Sequence, residues 1–107
     1  MSTDVFSAVT KEQYACRLAN LLAAIEANDE KYGVRYRLVM LALGCALEAG
    51  YPAGVRIDPA EPEWPVAFIH LPSGQVSWHM QAYPDVWDGH DTSEKYRRCR
   101  QFIQEHG

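Results

Sequence analysis

From Tyr51 to Pro65 the chain cannot be helical, because Pro52, Gly54, Pro59, Pro62 and Pro65 interrupt every turn that could begin there. The fold therefore splits into a helical first half and a second half of strands and loops. Upstream of the break, Tyr14, Leu18, Leu21, Leu22 and Ile25 recur at helical spacing. Thr10-Lys11-Glu12-Gln13 reads as a capping box, so the first helix is expected to start there, with residues 1–9 outside it, and to end near Asn28. After a polar connection over 29–33, Val34 to Ala49 reads as a second helix, with Gly50 where a left-handed cap costs least. Its centre, Leu38-Val39-Met40-Leu41-Ala42-Leu43, is apolar nearly all round and is expected to be covered on several sides at the middle of the fold. The run is too short, and too close to Arg35 and Arg37, to span a bilayer.

Beyond the break, Val55-Arg56-Ile57 reads as a short strand and Asp58 to Glu63 as a stiff acidic loop leading to Trp64. Val66 to Leu71 and Gln75 to Met80 read as a hairpin with Ser73-Gly74 as its two-residue turn. That register sets Leu71 against Val76, Ile69 against Trp78 and Ala67 against Met80 as one apolar face. The other face carries Phe68, His70, Ser77 and His79, with the two imidazoles within diagonal reach. Asp91-Thr92-Ser93-Glu94 is a second capping signal, and Tyr96, Cys99, Phe102 and Ile103 line one side of the helix that follows. The expected fold is α+β in a single domain over 1–107: an N-terminal helical hairpin over 10–50, a strand and loop part over 51–91 that forms a small antiparallel sheet of two or three strands, and a C-terminal helix over 92–105.

The chain's 107 residues suffice for one core, and 48% hydrophobic with 22% charged residues is the composition of a soluble globular protein. A net charge of -4 argues against nonspecific binding to nucleic acid or anionic membranes, both of which need a cationic surface. Cys16, Cys45 and Cys99 are odd in number, far apart and without zinc spacing, which fits reduced thiols in a cytosolic core. Met1-Ser2-Thr3-Asp4 has none of the features of a secretion signal, so the expected location is the cytoplasm.

Chemistry concentrates between Val76 and Arg100. His70 and His79, near Ser77, are a candidate pair for a metal or phosphate, and Asp88 and His90 are further ligands or a general base if the loop after Met80 folds over the sheet. The plain alternative makes the two strand histidines polar residues on a solvated sheet face. In Trp87-Asp88-Gly89-His90-Asp91, packing accounts for Trp87, the turn for Gly89 and capping for Asp91, while Asp88 and His90 are left as binding candidates. Lys95, Arg97, Arg98 and Arg100 spread around their helix, as on a solvated and salt-bridged surface, although Arg97 or Arg98 near the helix N-terminus can receive a small anion. Glu61 and Glu63 beside Trp64 form a rim suited to a basic partner. No catalytic residue or cofactor is assigned, and the sequence leaves metal binding and a homo-oligomer open.

Several strings of the second half, namely Gly50-Tyr51-Pro52-Ala53-Gly54, Arg56-Ile57-Asp58-Pro59, Glu63-Trp64-Pro65, Leu71 to His79 and Trp87 to Arg98, resemble a family of small proteins from bacteriophages and prophages. The resemblance brings no activity, cofactor or catalytic residue with it. It implies a phage-encoded accessory protein in the host bacterial cytoplasm that binds a host protein complex, such as a defence system, and modulates or inhibits it. A metal- or His-assisted enzyme, or a protein that sequesters a small anion or nucleotide, is the alternative that uses the His-bearing sheet face.

Overall fold

The computed structural model describes residues 3–59, 61–80 and 92–107. Its elements are α1 (Thr3–Ala27), α2 (Tyr32–Ala49), β1 (Ala53–Asp58), β2 (Glu61–Leu71), β3 (Gly74–His79) and α3 (Thr92–His106). The strands form an antiparallel sheet in the order β1-β2-β3. Leu18, Leu22 and Ile25 of α1, Val39 and Ala46 of α2, and Cys99 and Phe102 of α3 share one buried cluster with Ala67, Ile69, Val76 and Trp78 of the sheet. The α+β architecture thus places helices against one face of a three-stranded sheet.

Helix α1 starts at Thr3 rather than at Thr10. Nothing between Thr3 and Thr10 breaks a helix, and extending a formed helix costs far less than nucleating one. At its other end, both the backbone N–H and the side-chain amide of Asn28 donate to the Ala24 carbonyl, at 3.0 and 2.8 Å. Helix α2 ends as its sequence requires. Gly50 takes φ 96°, its N–H donates to Leu47 and the Tyr51 N–H donates to Ala46, which satisfies two terminal carbonyls together.

The centre of α2 differs from the expectation. Val39, Ala42 and Leu43 are buried, but Leu41 is 60% exposed and Met40 is exposed beside it. Helix α2 crosses the sheet obliquely: Arg35 near its start reaches the His79 carbonyl at the end of β3, while its C-terminus runs through Gly50 to Pro52 into β1. One side of it therefore has no layer above it.

The hairpin register also differs. Leu71 pairs with Gly74, Ile69 with Val76 and Ala67 with Trp78, so the turn is Pro72-Ser73, one residue earlier than expected. Gly74 supplies a positive φ of 132° as the first residue of β3. The slip moves the partners by two and leaves the faces unchanged, so Ala67, Ile69, Leu71, Val76 and Trp78 still form the buried side. Strand β2 begins at Glu61, and Asp58 pairs with Glu61, so the acidic residues expected in a long loop belong largely to strands. Pro65 is tolerated because it sits at the end of its ladder, where its carbonyl accepts the Met80 N–H at 2.9 Å.

Two bonds fix the phase of the sheet edges. The His70 N–H donates to the Pro52 carbonyl at 2.8 Å, so Pro52, Gly54 and Arg56 turn their backbone groups toward β2 and Ala53 and Val55 turn theirs outward, up to the register shift between Arg56 and Asp58. On β3 the Met80 bond places Gln75, Ser77 and His79 on the outer edge by the same alternation.

Candidate functional site

Residues 81–91 lie in sequence between Met80, just past β3, and Thr92, the first residue of α3. The described residues on either side are tied together by one polar network. Arg35, only 2% exposed, lies at the buried phase of α2 that it shares with Val39, Ala42 and Ala46. Its guanidinium donates to the His79 carbonyl at 3.2 Å and sits 3.6 Å from the Asp29 carboxylate in the α1–α2 connection. The same Asp29 oxygen accepts the hydroxyl of Tyr96, which is buried in the second turn of α3. Burial, first, and then the Asp29 carboxylate push the Tyr96 phenol well above its usual range, so it stays a donor. One buried cation thereby fixes the end of β3, the α1–α2 connection and the start of α3. A buried guanidinium needs such partners, because removal from water without them costs several kcal/mol, roughly.

Trp78 and Lys95 lie next to this network. The Trp78 ring is fully buried, with the Lys95 ammonium 5.7 Å from its centre and 5.1 Å from that of Tyr96. The Trp78 indole N–H is buried and finds no acceptor among the described residues. Lys95 is itself buried, contrary to the expectation that the basic residues of α3 are solvated. Arg98 is also engaged: its side chain lies across Gly74 and donates to the Gln75 carbonyl at 2.6 Å, while the Ser73 hydroxyl donates to the Arg98 carbonyl at 3.0 Å. Arg97 is exposed and held by Glu94 of its own helix, through Nε at 3.0 Å, and this pairing lowers the Glu94 carboxyl below its usual range. Arg100 pairs with Glu26 of α1.

The histidine pair does not assemble. Register sets His70 opposite Gln75 and His79 opposite Val66, four residues further along β3. That offset is roughly 13 Å at about 3.3 Å per residue, too far for one ion to bridge. They share the outer sheet face, but His70 meets Phe68 edge-to-face with ring centres 5.4 Å apart, and the Arg56 guanidinium lies 5.3 Å from the centre of the same Phe68 ring. Among the described residues no group of three or more His, Cys, Asp or Glu side chains could hold a metal ion. Trp87, Asp88 and His90 lie outside the described residues. Glu61, Glu63 and Trp64 are placed on β2 by their backbone alone.

Asp29, Arg35, Lys95 and Tyr96 were absent from the sequence-derived set, apart from Lys95 as a surface charge and Tyr96 as core. The signal for Arg35 was present: an arginine four residues before Val39 and seven before Ala42 sits on the buried stripe of its helix.

The fold and this network define a small α+β domain whose polar core ties the end of β3 to the second turn of α3, the two described elements between which Trp87-Asp88-Gly89-His90 falls in sequence. The chain belongs to the WDGH domain family, which it matches over residues 8–102. No curated protein and no solved structure matches it. Among the described residues no helix is long and apolar enough to cross a membrane.

Proposed function

We propose that the protein is a phage-encoded accessory protein that binds a host protein in the bacterial cytoplasm and modulates or inhibits the complex to which that protein belongs, such as a defence system. The observation that carries this reading is the buried Arg35 network, which ties the end of β3 to the second turn of α3, the elements that precede and follow Trp87, Asp88 and His90 in sequence. A binding protein needs a rigid base beneath an aromatic and polar recognition segment, since pre-organisation lowers the entropy lost on association. Tryptophan is the side chain most enriched at the energetic centres of interfaces. The resemblance of the second half to phage and prophage proteins supports the setting. The separation of His70 from His79 removes the ligand pair on which the enzymatic alternative was built.

The test is capture of bacterial lysate on the tagged chain, followed by rebinding of any near-stoichiometric partner in purified form. The expected result is a partner whose affinity falls at least roughly tenfold in Trp87→Ala and Asp88→Ala, with circular dichroism unchanged. A sample free of protein that carries a metal or a nucleotide would overturn the proposal.

A further inference from the structure

All seven large apolar side chains that stand exposed among the described residues belong to two neighbouring elements, α2 and β1. Cys45 of α2 feels the charge of Arg17, and Ala49 shares a cleft with Ala15 and Cys16, so that flank of α2 faces α1. The opposite flank carries Tyr36, Met40 and Leu47, the last 57% exposed, and turns toward the sheet edge at β1. There Val55 and Ile57 are about half exposed. Val55 pairs with buried Ala67 and so points to the helix side of the sheet, over a corner left open by the oblique path of α2. The backbone N–H and C=O groups of Ala53 and Val55 point outward and meet no partner among the described residues. An open strand edge next to an apolar helix flank is a surface that soluble proteins seldom leave bare.

We infer that this surface is the interface of a symmetric dimer, in which β1 pairs antiparallel with β1 of a second copy and the two sheets join into one of six strands. A two-fold axis through Val55 sets Val55 against its own counterpart, Ala53 against Ile57 and Gly54 against Arg56. Of the two adjacent allowed registers, the one with its axis at Arg56 opposes two arginines directly and the one with its axis at Gly54 pairs only residues 53–55 of β1, so charge and strand length select the axis at Val55. In the selected register the long Arg56 side chain lies over Gly54, which has no side chain to obstruct it, next to the Phe68 ring 3.4 Å from where a Gly54 Cβ would stand. Helix α2 contacts both β1 and β2 and so lies about one strand spacing from the axis. The two copies of α2 then run antiparallel ~10 Å apart, the separation of packed helices, with Tyr36, Met40 and Leu47 between them. These side chains with Val55 and Ile57 expose on the order of 500 Å², and the strand edges bring the area per copy toward the roughly 800 Å² of a standard interface. This dimer is independent of the host-binding reading, because it uses neither the Arg35 network nor residues 81–91.

Sedimentation equilibrium of the full chain over a wide concentration range tests it. The expected result is a mass of twice 12.1 kDa at high concentration. Val55→Pro removes only an outward-facing N–H, which an edge strand tolerates, and Leu47→Glu places a charge on an exposed site. Each is expected to weaken dimerisation by roughly tenfold or more, with the helical circular dichroism signal retained. A wild-type chain that stays monomeric up to about millimolar concentration would overturn the inference, since even a weak specific interface forms there. So would a dimer that survives Val55→Pro, because strand pairing would then not hold it together.

Discussion

The two edges of the sheet are finished in opposite ways. On β3 the outward carbonyls of Gln75 and His79 are taken by Arg98 and Arg35, one from α3 and one from α2. On β1 the outward groups of Ala53 and Val55 meet nothing among the described residues, and the exposed Val55 and Ile57 side chains beside them are apolar. A closed edge, tied at two carbonyls by arginines, one of them buried and one part-exposed, is held to its own chain, whereas an open edge beside an apolar helix flank with no such ties offers itself to another. The β3 edge is thus held by helices of its own chain, and the β1 edge is the one that the inferred dimer would use.

Substitutions at the closed edge should cost most. Arg35→Met leaves Asp29 and the His79 carbonyl without their cation and is expected to lower unfolding free energy by about 3–5 kcal/mol in urea titration. A loss below about 1 kcal/mol would show that the network is dispensable and would break the comparison. Gly74→Ala comes next: φ 132° disfavours any side chain, and the new Cβ would stand 2.9 Å from Arg98 Cδ. A loss of about 2 kcal/mol is expected.

The pH dependence follows from two buried protons. Burial, first, pushes the Cys99 thiol up to about 12, with Glu26 adding to the rise and Lys95 and Arg100 opposing it, and the Tyr96 phenol is raised as well. Both groups release their protons more readily in the unfolded chain, so the Cys99 contribution is complete below about pH 9 and is lost as the pH rises toward 12, while the Tyr96 contribution begins to be lost only above about pH 10. The urea midpoint should therefore hold between pH 7 and 8, roughly, and fall above pH 9, less steeply in Cys99→Ala. The smallest effect belongs to the open edge: Val55→Thr, measured at monomer concentrations, should stay within about 0.5 kcal/mol of wild type.

Much of this arrangement could be read from residue order. The proline-laden stretch after Gly50 placed the change from helices to strands, the Gly50 cap fell where expected, and the buried stripe of α3 was visible in Tyr96, Cys99 and Phe102. Local signals failed where a distant part of the chain decided the outcome. The Pro72-Ser73 turn is fixed by Ser73 and Gly74 meeting Arg98 of α3, which no hairpin rule contains. The apolar ring of α2 suggested cover on all sides, but the oblique crossing set by Arg35 and His79 left one side bare. The same slip in the turn separated His70 from His79, so the proposed ligand pair dissolved while the faces stayed correct.

The bonds between Ser73 and Arg98, and between Arg98 and Gln75, close a loop of chain that contains the whole of residues 81–91. The entropy lost in closing such a loop grows only with the logarithm of its length, about 0.6 kcal/mol for each doubling. A change in the length of that stretch is therefore expected to alter the closure term by only a fraction of a kcal/mol, roughly, while Ser73, Gln75 and Arg98 keep the loop closed.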